Sequence, residues 1–365
     1  SVGEQQRVEI LTAIYQGADI LILDEPTAVL TPQEANILFD MLRHMKADGK
    51  SIILITHKLE EIISIVDEVT VLRDGELIGS KLVDEHTTKE ELTKMMVGRD
   101  VLFNFDKNQK APGAVKVKLK GLSASNDKGL PALTDFNLTV HEGEILGLAG
   151  VDGNGQKELC EVLTGLRKAD GGQFLFKGKE VINQPPVFYI NSGISHIPED
   201  RMTTGLALNW SLKKNLIIKK FHKAPFSKNG LLNQKAIDAY WDKCQKEYQI
   251  KANSGEDHAR ALSGGNQQKV ILARELDDHP EMVIANQPTR GLDIGASEYV
   301  RQKILDARND GAAVLLVSAD LEEILQLSDR IAVIYDGKIM GILPAGTDTN
   351  TIGMLMMGHK QEEKA

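Results

Sequence analysis

The most constraining feature of this sequence is an internal repeat. Residues 1–77 align with residues 263–339 at a constant offset of 262 positions and without a gap. The opening residues of both stretches are similar, and a Leu-Glu-Glu-Ile segment and an Asp-Gly pair recur at the same offset. A repeat of this length is not chance, and it indicates that one folding plan is used twice. Elements assigned to one copy therefore predict the elements of the other.

In both copies a short apolar run leads to a Pro-Thr pair, but the two residues before the proline differ. Ile20–Leu23 is followed by the carboxylates Asp24 and Glu25, whereas the second run is followed by the amides Asn286 and Gln287. An acid pair at the end of a buried strand can bind Mg²⁺ and polarise a water molecule, as phosphoryl transfer requires, and an amide pair can do neither. An acidic cap or surface turn is the alternative. The sequence predicts a duplicated nucleotide-binding protein in which one copy is catalytically active and the other is inactive.

The bulk composition is that of an ordinary globular protein, with 42% hydrophobic and 26% charged residues. No apolar stretch reaches the ~20 residues of a membrane span, so a membrane role would come through a partner. The net charge of −9 argues against nucleic acid as that partner. The two cysteines, Cys160 and Cys244, form no disulfide framework, which favours a reduced cytosolic compartment.

The repeat also divides the chain. We expect residues 1–98 to be the C-terminal part of a first domain, residues 99–113 a polar linker with Pro and Gly, and residues 114–360 a complete second domain. The second copy has roughly 150 residues before its repeated part, a domain-sized length. The first copy has no counterpart for them here, so we expect it to be truncated at its N-terminal side.

The coarse secondary-structure pattern is α/β. Ile20–Leu23 and Ile52–Ile55 are short all-apolar runs, which are typical of parallel strands buried on both faces. Gln33–Ala47 and Ser297–Arg308 have helical spacing. In the first copy, the strands that should cover one face of Ile20–Leu23 are missing, so we expect apolar surface to be exposed there.

A glycine-rich turn follows the predicted strand Glu144–Ala149 and has the spacing of a phosphate loop, in which backbone N–H groups face an anion. Gln156 stands where lysine is usual, and Lys157 stands where a Mg²⁺-binding hydroxyl is usual. Taken alone, a plain strand-to-helix turn explains the segment about as well. Its position ahead of the repeated strand favours phosphate binding. The candidate binding residues are Gly150, Gly153, Asn154, Gly155, Gln156 and Lys157.

His57 follows the strand Ile52–Ile55. A lone histidine is more often structural than catalytic. Here, however, neighbouring parallel strands end at the same sheet edge, which places His57 near Glu25. It could there contact the γ-phosphate and orient the attacking water.

Leu262–Gln268 precedes a predicted helix, and a related segment opens the chain. Ser263 offers a hydroxyl, the glycines after it allow close approach, and the helix N-terminus adds partial positive charge toward an anion. A plain helix N-cap is the alternative, but the segment occurs twice at the same distance before the repeated strand. The candidate binding residues are Ser263, Gly264, Gly265 and Gln267, with Ser1 and Gly3 in the first copy.

These motifs resemble those of the ATP-binding subunits of ABC transporters. Leu262–Gln268 is similar to the signature motif of that family, and Ile20–Thr27 to its Walker B strand with the catalytic glutamate. His57 is similar to the switch histidine, and Gly291-Leu292-Asp293 to the D-loop. Pro198-Glu199-Asp200-Arg201 stands where most members have a glutamine loop. This feature, with two modules in one chain, resembles importers of simple sugars and nucleosides, and the longer strings favour the nucleoside branch.

The resemblance implies P-loop NTPase domains, each with a RecA-like parallel-sheet core, an antiparallel β subdomain and an α-helical subdomain. Modules of this family face each other head to tail and enclose ATP and Mg²⁺ between the phosphate loop of one and the signature of the other. One site would then use Asp24 for the metal, Glu25 and His57 for catalysis, and Ser263, Gly264, Gly265 and Asp293 from the second module. The other would use Gln156, Lys157, Glu199, Asn286, Gln287 and Ala319, with Val2 and Thr31. The first set matches the family pattern throughout and the second departs from it.

The resemblance also implies partners and a location. The expected partners are two transmembrane permease subunits or domains and, indirectly, an extracytoplasmic solute-binding protein, with no nucleic acid. The protein would lie at the cytoplasmic face of the cell membrane. A soluble tandem ABC protein of translation or nucleic-acid maintenance is the main alternative, and a non-catalytic binding module is a third. Because the active site's own phosphate loop would lie before Ser1, we expect this chain alone to lack ATPase activity.

Overall fold

The structure is a computed structural model. It describes residues 2–15, 17–27, 30, 32–56, 58–73, 75–98 and 112–359, without the side chains of residues 2–7, 32 and 33. The predicted site residues Ser1 and His57 lie outside these ranges, as do Thr31 and most of the expected linker, while Gly3 lies in the first helix. The chain forms two compact units. The first contains the described residues up to 98 with Val151–Gly153 and Asp293–Glu298, and the second contains the other described residues.

The elements before residue 99 alternate between helix and strand. In chain order they are α1 Val2–Tyr15, β1 Ile20–Asp24, α2 Pro32–Ala47, β2 Ser51–Ile55, α3 Leu59–Ile65, β3 Glu68–Arg73, β4 Glu76–Leu82 and α4 Lys89–Val97. Strand β1 pairs with β2 in parallel, with Ile20 opposite Ser51, and β3 pairs with β4 as an antiparallel hairpin.

Strand β1 is buried on one face. Leu21 and Leu23 pack into a cluster with residues of α1 and α2, whereas Ile20 and Ile22 on the opposite face are each 63% exposed. The sequence pattern of a strand buried on both faces is therefore satisfied on one face alone, and the exposed apolar face that we expected is present. Side chains of a strand alternate between faces, so the exposed positions form one row.

The elements after residue 111 form the larger unit, apart from the start of α10. They are β5 Val115–Ser125, β6 Pro131–His141, β7 Ile145–Ala149, α5 Gln156–Thr164, β8 Gly171–Phe176, β9 Lys179–Glu180, α6 Pro186–Asn191, β10 Ile194–Ile197, α7 Leu212–Ile217, β11 Ser227–Lys228, β12 Leu231–Leu232, α8 Gln234–Glu247, α9 Gly264–Leu276, β13 Met282–Asn286, α10 Ile294–Asn309, β14 Ala313–Ser318, α11 Leu321–Leu327, β15 Arg330–Tyr335, β16 Lys338–Pro344 and α12 Thr349–Met356. A π-helical turn spans Arg201–Gly205 and a 3-10 turn spans Ala259–Ala261.

Two sheets organise this larger unit. The main sheet has the strand order β10-β13-β14-β7-β15-β16, and its neighbours are parallel except for the antiparallel pair β15-β16. A second, antiparallel sheet has the order β6-β5-β8-β9. Every residue of β7, β13 and β14 is buried, as all-apolar central strands of a parallel sheet require. The predicted α/β class is confirmed.

Local geometry is alike at positions 262 residues apart. Ile20 of β1 lies opposite Ser51, and Met282 of β13 lies opposite Ala313. The hairpin β3-β4 has an irregularity between Val71 and Leu72, and β15-β16 has one at the corresponding step. The backbone likeness therefore extends to details that the apolar pattern does not encode.

Candidate nucleotide-binding site

The two predicted carboxylates lie at the carboxyl end of β1. Asp24 is the last residue of the strand and is exposed. Glu25 follows with a φ of 44°, in the left-handed region that side-chain-bearing residues rarely adopt, and such a conformation costs about 1–3 kcal/mol. Its backbone N–H donates to the carbonyl of Ile55 at 2.8 Å. Since β2 is the neighbouring parallel strand, this bond holds Glu25 at the edge where both strands end.

A buried carboxylate that we did not predict lies in the same region. The Glu61 carboxylate accepts hydrogen bonds from the hydroxyls of Thr27 and Thr56. Thr27 comes two residues after Glu25, and Thr56 immediately precedes position 57. The Leu-Glu-Glu-Ile segment that contains Glu61 recurs in the second copy, and this recurrence was the signal that could have found it.

The amide pair occupies the corresponding place in the larger unit. Asn286 ends β13 and is buried, and Gln287 has a φ of 47°. The backbone N–H of Gln287 donates to the carbonyl of Val317 at 2.7 Å, and its side-chain Oε1 accepts the N–H of Ala319 at 3.1 Å. The backbone trace matches that at Glu25, but the side chain is neutral and bonds to the backbone. It has no carboxylate with which to polarise water.

The phosphate-loop candidates lie where β7 ends and α5 begins. A Cβ at Gly150 would lie 2.5 Å from Ile334 Cγ2 and 2.8 Å from Gln156 Nε2, so a larger residue does not fit there. The Gln156 side chain is buried and its amide reaches the loop at Gly150. Gly155, with a φ of 104°, immediately precedes the helix. Backbone N–H groups at such a turn suit an anion.

Asn154 and Lys157 are each bonded to neighbouring residues. The Oδ1 of Asn154 accepts the backbone N–H of Asp336 at 2.7 Å, which fixes the loop to the turn after β15. The Nζ of Lys157 lies 3.8 Å from Glu161 and 3.4 Å from Asp127, and the charge of Glu161 is the main cause of a raised pKa for Lys157. The positive charge of Lys157 is thus partly neutralised by Asp127 and Glu161.

The amide pair and the phosphate-loop candidates lie at one edge of the main sheet. Asn286 at the end of β13 lies opposite Val317, and Ser318 at the end of β14 lies opposite Ala149 at the end of β7. The phosphate loop follows β7 directly. The structure therefore brings Gly150, the loop after it and the amide pair to the carboxyl edge of parallel strands, where α/β proteins bind ligands.

The signature candidates begin α9. Ser263 is the N-cap residue but makes no side-chain capping bond, and its Oγ accepts from Asn266 Nδ2 at 3.0 Å. Ser263 thus occupies the N-cap position without the side-chain hydrogen bond that a capping residue usually makes. Gly264 and Gly265 form the first helical positions. Gln267 is buried, and its Nε2 donates to the carbonyl of Ala259 at 3.1 Å, which anchors the start of the helix.

Two loops of the larger unit are bonded to each other. The guanidinium of Arg201 donates to the carbonyl of Arg290 at 2.6 Å, and Arg290 forms an ion pair with Glu199. This connects the Pro198–Arg201 segment to the loop after β13. Asp293 follows that loop and is exposed, and its Oδ1 accepts the N–H of Ala296 at 2.8 Å, at the start of α10.

Within the described residues, no three His, Cys, Asp or Glu side chains form a cluster that could hold a metal ion by themselves. Asp24 is therefore not part of a group of three such side chains among the described residues. This fits Mg²⁺ beside a nucleotide, because that ion usually takes one or two protein carboxylates and completes its shell with phosphates and water. In the larger unit, the buried neutral Asn286 is a poorer ligand.

The sequence is similar to those of several known proteins. The family model described as ABC transporter matches residues 133–290. The nucleoside import ATP-binding protein NupA of Lactococcus lactis subsp. cremoris is 45% identical over 98% of this chain and 71% of its own length. The guanosine import ATP-binding protein NupO of Bacillus subtilis is 47% identical over 100% of this chain and 71% of its own length. This chain belongs to the ATP-binding proteins of ABC transporters.

Other relatives of this ABC protein place it in the same family. The glucose import ATP-binding protein TsgD13 of Haloferax volcanii is 46% identical over 98% of this chain, which spans 65% of that relative's length. A solved nucleotide-free ATP-binding cassette of an ABC transporter superposes with a TM-score of 0.56 at 21% identity, over 65% of this chain and 94% of that one. A cassette dimer with ADP and Pi gives 0.55 at 22%, over 64% and 100%. The predicted family and its P-loop NTPase fold are confirmed.

Proposed function

We propose that this chain is most of the ATP-binding subunit of an ABC importer for nucleosides or simple sugars, with nucleosides favoured. The observation that carries the proposal is the Asp24-Glu25 pair at the end of β1, with Glu25 held in a left-handed conformation by Ile55. The names of the relatives support import as the purpose of hydrolysis. They do not favour the alternative of a soluble tandem protein in translation or nucleic-acid maintenance.

The chain carries the C-terminal part of one ABC module, residues 1–98, and a complete second module, residues 114–360. The matching strand registers and the matching φ values at Glu25 and Gln287 support this division. The exposed face of β1 supports it too, since the counterpart strand β13 is buried at every position. Relatives that exceed this chain in length leave room for the rest of the first module.

The two composite sites of the subunit are unequal. In the active one, Asp24 would hold Mg²⁺, which would neutralise phosphate charge during transfer. Glu25 polarises the attacking water, and His57 orients it. Ser263 and its following glycines, with Asp293, complete the site, as the family resemblance implies.

The second site binds nucleotide through the glycine loop before α5 but does not hydrolyse it. Gln287 has replaced the base and Asn286 the metal carboxylate. The glycine loop of this site therefore has no catalytic carboxylates beside it. Removal of one acid or base partner costs ~10²–10⁴ in rate, and several are missing here. No aromatic side chain lies between residues 122 and 128 to stack on an adenine ring, so the nucleotide is held loosely. The silent site acts as a hinge, and one ATP is hydrolysed per closure.

The permease contacts a groove in the larger unit. The groove has a volume of about 580 Å³, and apolar and basic residues line it together, among them Val187, Ile190, Phe221, Lys219 and Arg274. Val187 and Phe221 are more than half exposed, which suits an inserted helix from a membrane partner. No helix in the described part of the chain is long and apolar enough to cross a membrane. The subunit is peripheral, at the cytoplasmic face.

The groove is connected to the nucleotide loops. Its wall includes Thr203 and Thr204 of the π-helical turn, and Arg201 of the same turn donates to the carbonyl of Arg290. Movement of an inserted permease helix would thus displace the loop that leads to Asp293, through the bond between Arg201 and Arg290. This gives hydrolysis a physical route to transport.

The test is reconstitution of the full-length subunit with its permeases in lipid vesicles that carry the solute-binding protein. We expect nucleoside uptake and ATP hydrolysis to rise together and both to disappear in Glu25→Gln. A panel of nucleosides and simple sugars identifies the solute. Uptake that persists in Glu25→Gln, or association of the protein with ribosomes or DNA in place of membranes, would contradict the proposal.

A further inference from the structure

Glu61 is a buried carboxylate for which hydrolysis as described above has no role. It lies in the first turn of α3 and its residue is 6% exposed. Burial of an ionised carboxylate is costly unless hydrogen bonds and opposite charge compensate it. Both oxygens are used: Oε1 accepts from the Thr27 hydroxyl, and Oε2 accepts from the Thr56 hydroxyl at 2.9 Å.

Lys58 closes the same network. Its Nζ lies 3.5 Å from Glu61 Oε1, and it donates to both the carbonyl and the hydroxyl of Thr27 at 3.2 Å. The turn after Glu25 is thereby connected twice to the segment that flanks position 57, once by Glu61 and once by Lys58. Charge-assisted hydrogen bonds of this kind fix geometry more strongly than neutral ones.

The second copy keeps the carboxylate and the two hydroxyl residues beside it but not the lysine. Glu323, the counterpart of Glu61, is fully buried, and the hydroxyls of Ser318 and Thr289, the counterparts of Thr56 and Thr27, lie beside its carboxylate as hydrogen-bond partners. Burial raises the pKa of Glu323, and the charge of Arg301, 3.5 Å from its Oε1, opposes this. Asp320 stands where the first copy has Lys58. The second connection, made by a lysine, occurs only in the copy that has kept Glu25, among the described residues.

We propose that Glu61 is a positioning residue for hydrolysis, holding the turn that carries Glu25 in register with the strand end that carries position 57. Glu61 does not touch the nucleotide. It fixes the relation between two backbone segments, so that the water-polarising carboxylate and the histidine act on one water molecule. This inference rests on the proposed function and adds a residue to it.

The test compares Glu61→Gln with its internal control Glu323→Gln in the full-length subunit assembled with its permeases. Glutamine keeps the shape but loses the charge and one acceptor. Since a displacement of about 1 Å can cost ~10²-fold in rate, we expect kcat for ATP to fall about 10- to 100-fold in Glu61→Gln. The KM for ATP should stay within about twofold, because ground-state binding is untouched. Glu323→Gln should leave both constants within the same twofold range.

A second pair of variants separates positioning from stability. Thr56→Ser keeps the hydroxyl that donates to Glu61 and should keep kcat, whereas Thr56→Val removes it and should lower kcat while the thermal midpoint stays near that of Thr56→Ser. If Glu61→Gln does not fold, the two Thr56 variants alone test the positioning role of Glu61. Equal kcat values in the serine and valine variants, or equal losses in Glu61→Gln and Glu323→Gln, would overturn the inference.

Glu25→Gln in the same preparations distinguishes failure of the positioning role of Glu61 from failure of the proposed function. Full loss of hydrolysis in Glu25→Gln together with normal hydrolysis in Glu61→Gln removes the positioning role and leaves the proposed function intact. Normal hydrolysis in Glu25→Gln removes both.

Discussion

Glu275 offers a stability prediction whose size follows from the structure. This buried carboxylate lies near the end of α9, the helix that Ser263 begins. It accepts from Lys219 at 2.5 Å, from Arg274 at 2.9 Å and from the backbone N–H of His196 at 3.1 Å. Burial alone would raise the pKa of Glu275, but these partners outweigh it and lower the pKa from 4.5 to about 2.

The lowered pKa converts into a free energy of unfolding. A shift from 4.5 to about 2, at ~1.4 kcal/mol per pH unit, is about 3 kcal/mol of stabilisation from ionised Glu275 at neutral pH. Because the folded pKa is depressed, this contribution is complete above pH ~5 and is lost as the pH falls toward 2. Breaking a buried ion pair by removing one partner costs ~3–5 kcal/mol, in agreement with this value.

Glu275→Gln should therefore lower the free energy of unfolding of the larger unit by about 3 kcal/mol at pH 7. The measurement is urea unfolding followed by circular dichroism across pH 2 to 8. The control is Glu247→Gln, which removes an exposed carboxylate 3.8 Å from Lys243 and should cost less than ~1 kcal/mol. A Glu275→Gln loss that is independent of pH, or as small as that of the control, would refute the reasoning.

Three further predictions concern the nucleotide site. Gln287→Glu alone should leave ATP turnover of the full-length subunit unchanged, and a marked gain would contradict the asymmetry. This chain by itself should hydrolyse no more ATP than its Glu25→Gln variant; hydrolysis that the variant abolishes would show the prediction to be wrong. Gly155→Ala should weaken binding of a fluorescent ATP analogue to the second site far more than Gly153→Ala. Both glycines have positive φ, but a Cβ at Gly155 would lie 2.4 Å from a backbone carbonyl oxygen, whereas a Cβ at Gly153 would have nothing within 4 Å. Equal effects would show that backbone strain, and not the close approach, decides.

Much of the fold could be predicted because local pattern and packing agree. Apolar runs such as Val283–Ala285 form central strands, and their burial at every position is what the absence of polar residues requires. The glycine turn after Ala149 begins a helix because Gly155 adopts a φ that other residues resist. Ile20 and Ile22 show the limit, since an apolar residue alone does not tell whether a neighbouring layer covers it.

The contacts within the site were less predictable, because they depend on which segments meet in three dimensions. The bonds of Glu61 to Thr27 and Thr56 span 34 and 5 positions of the chain. The reach of Arg201 to the carbonyl of Arg290 spans 89. Spacing cannot reveal such partners unless a repeat draws attention to them. The predicted role of His57 and the pairing of Glu25 with Ser263 stay predictions.

The most direct measurement of the central claim counts the phosphate released in the first turnover. Full-length subunits in complex with their permeases are saturated with ATP and mixed rapidly, and the burst of phosphate is divided by the number of subunits. We propose that each subunit has two nucleotide sites, of which only the one with Asp24 and Glu25 hydrolyses ATP. The account predicts one phosphate per subunit and none in Glu25→Gln, and a burst of two per subunit would contradict it.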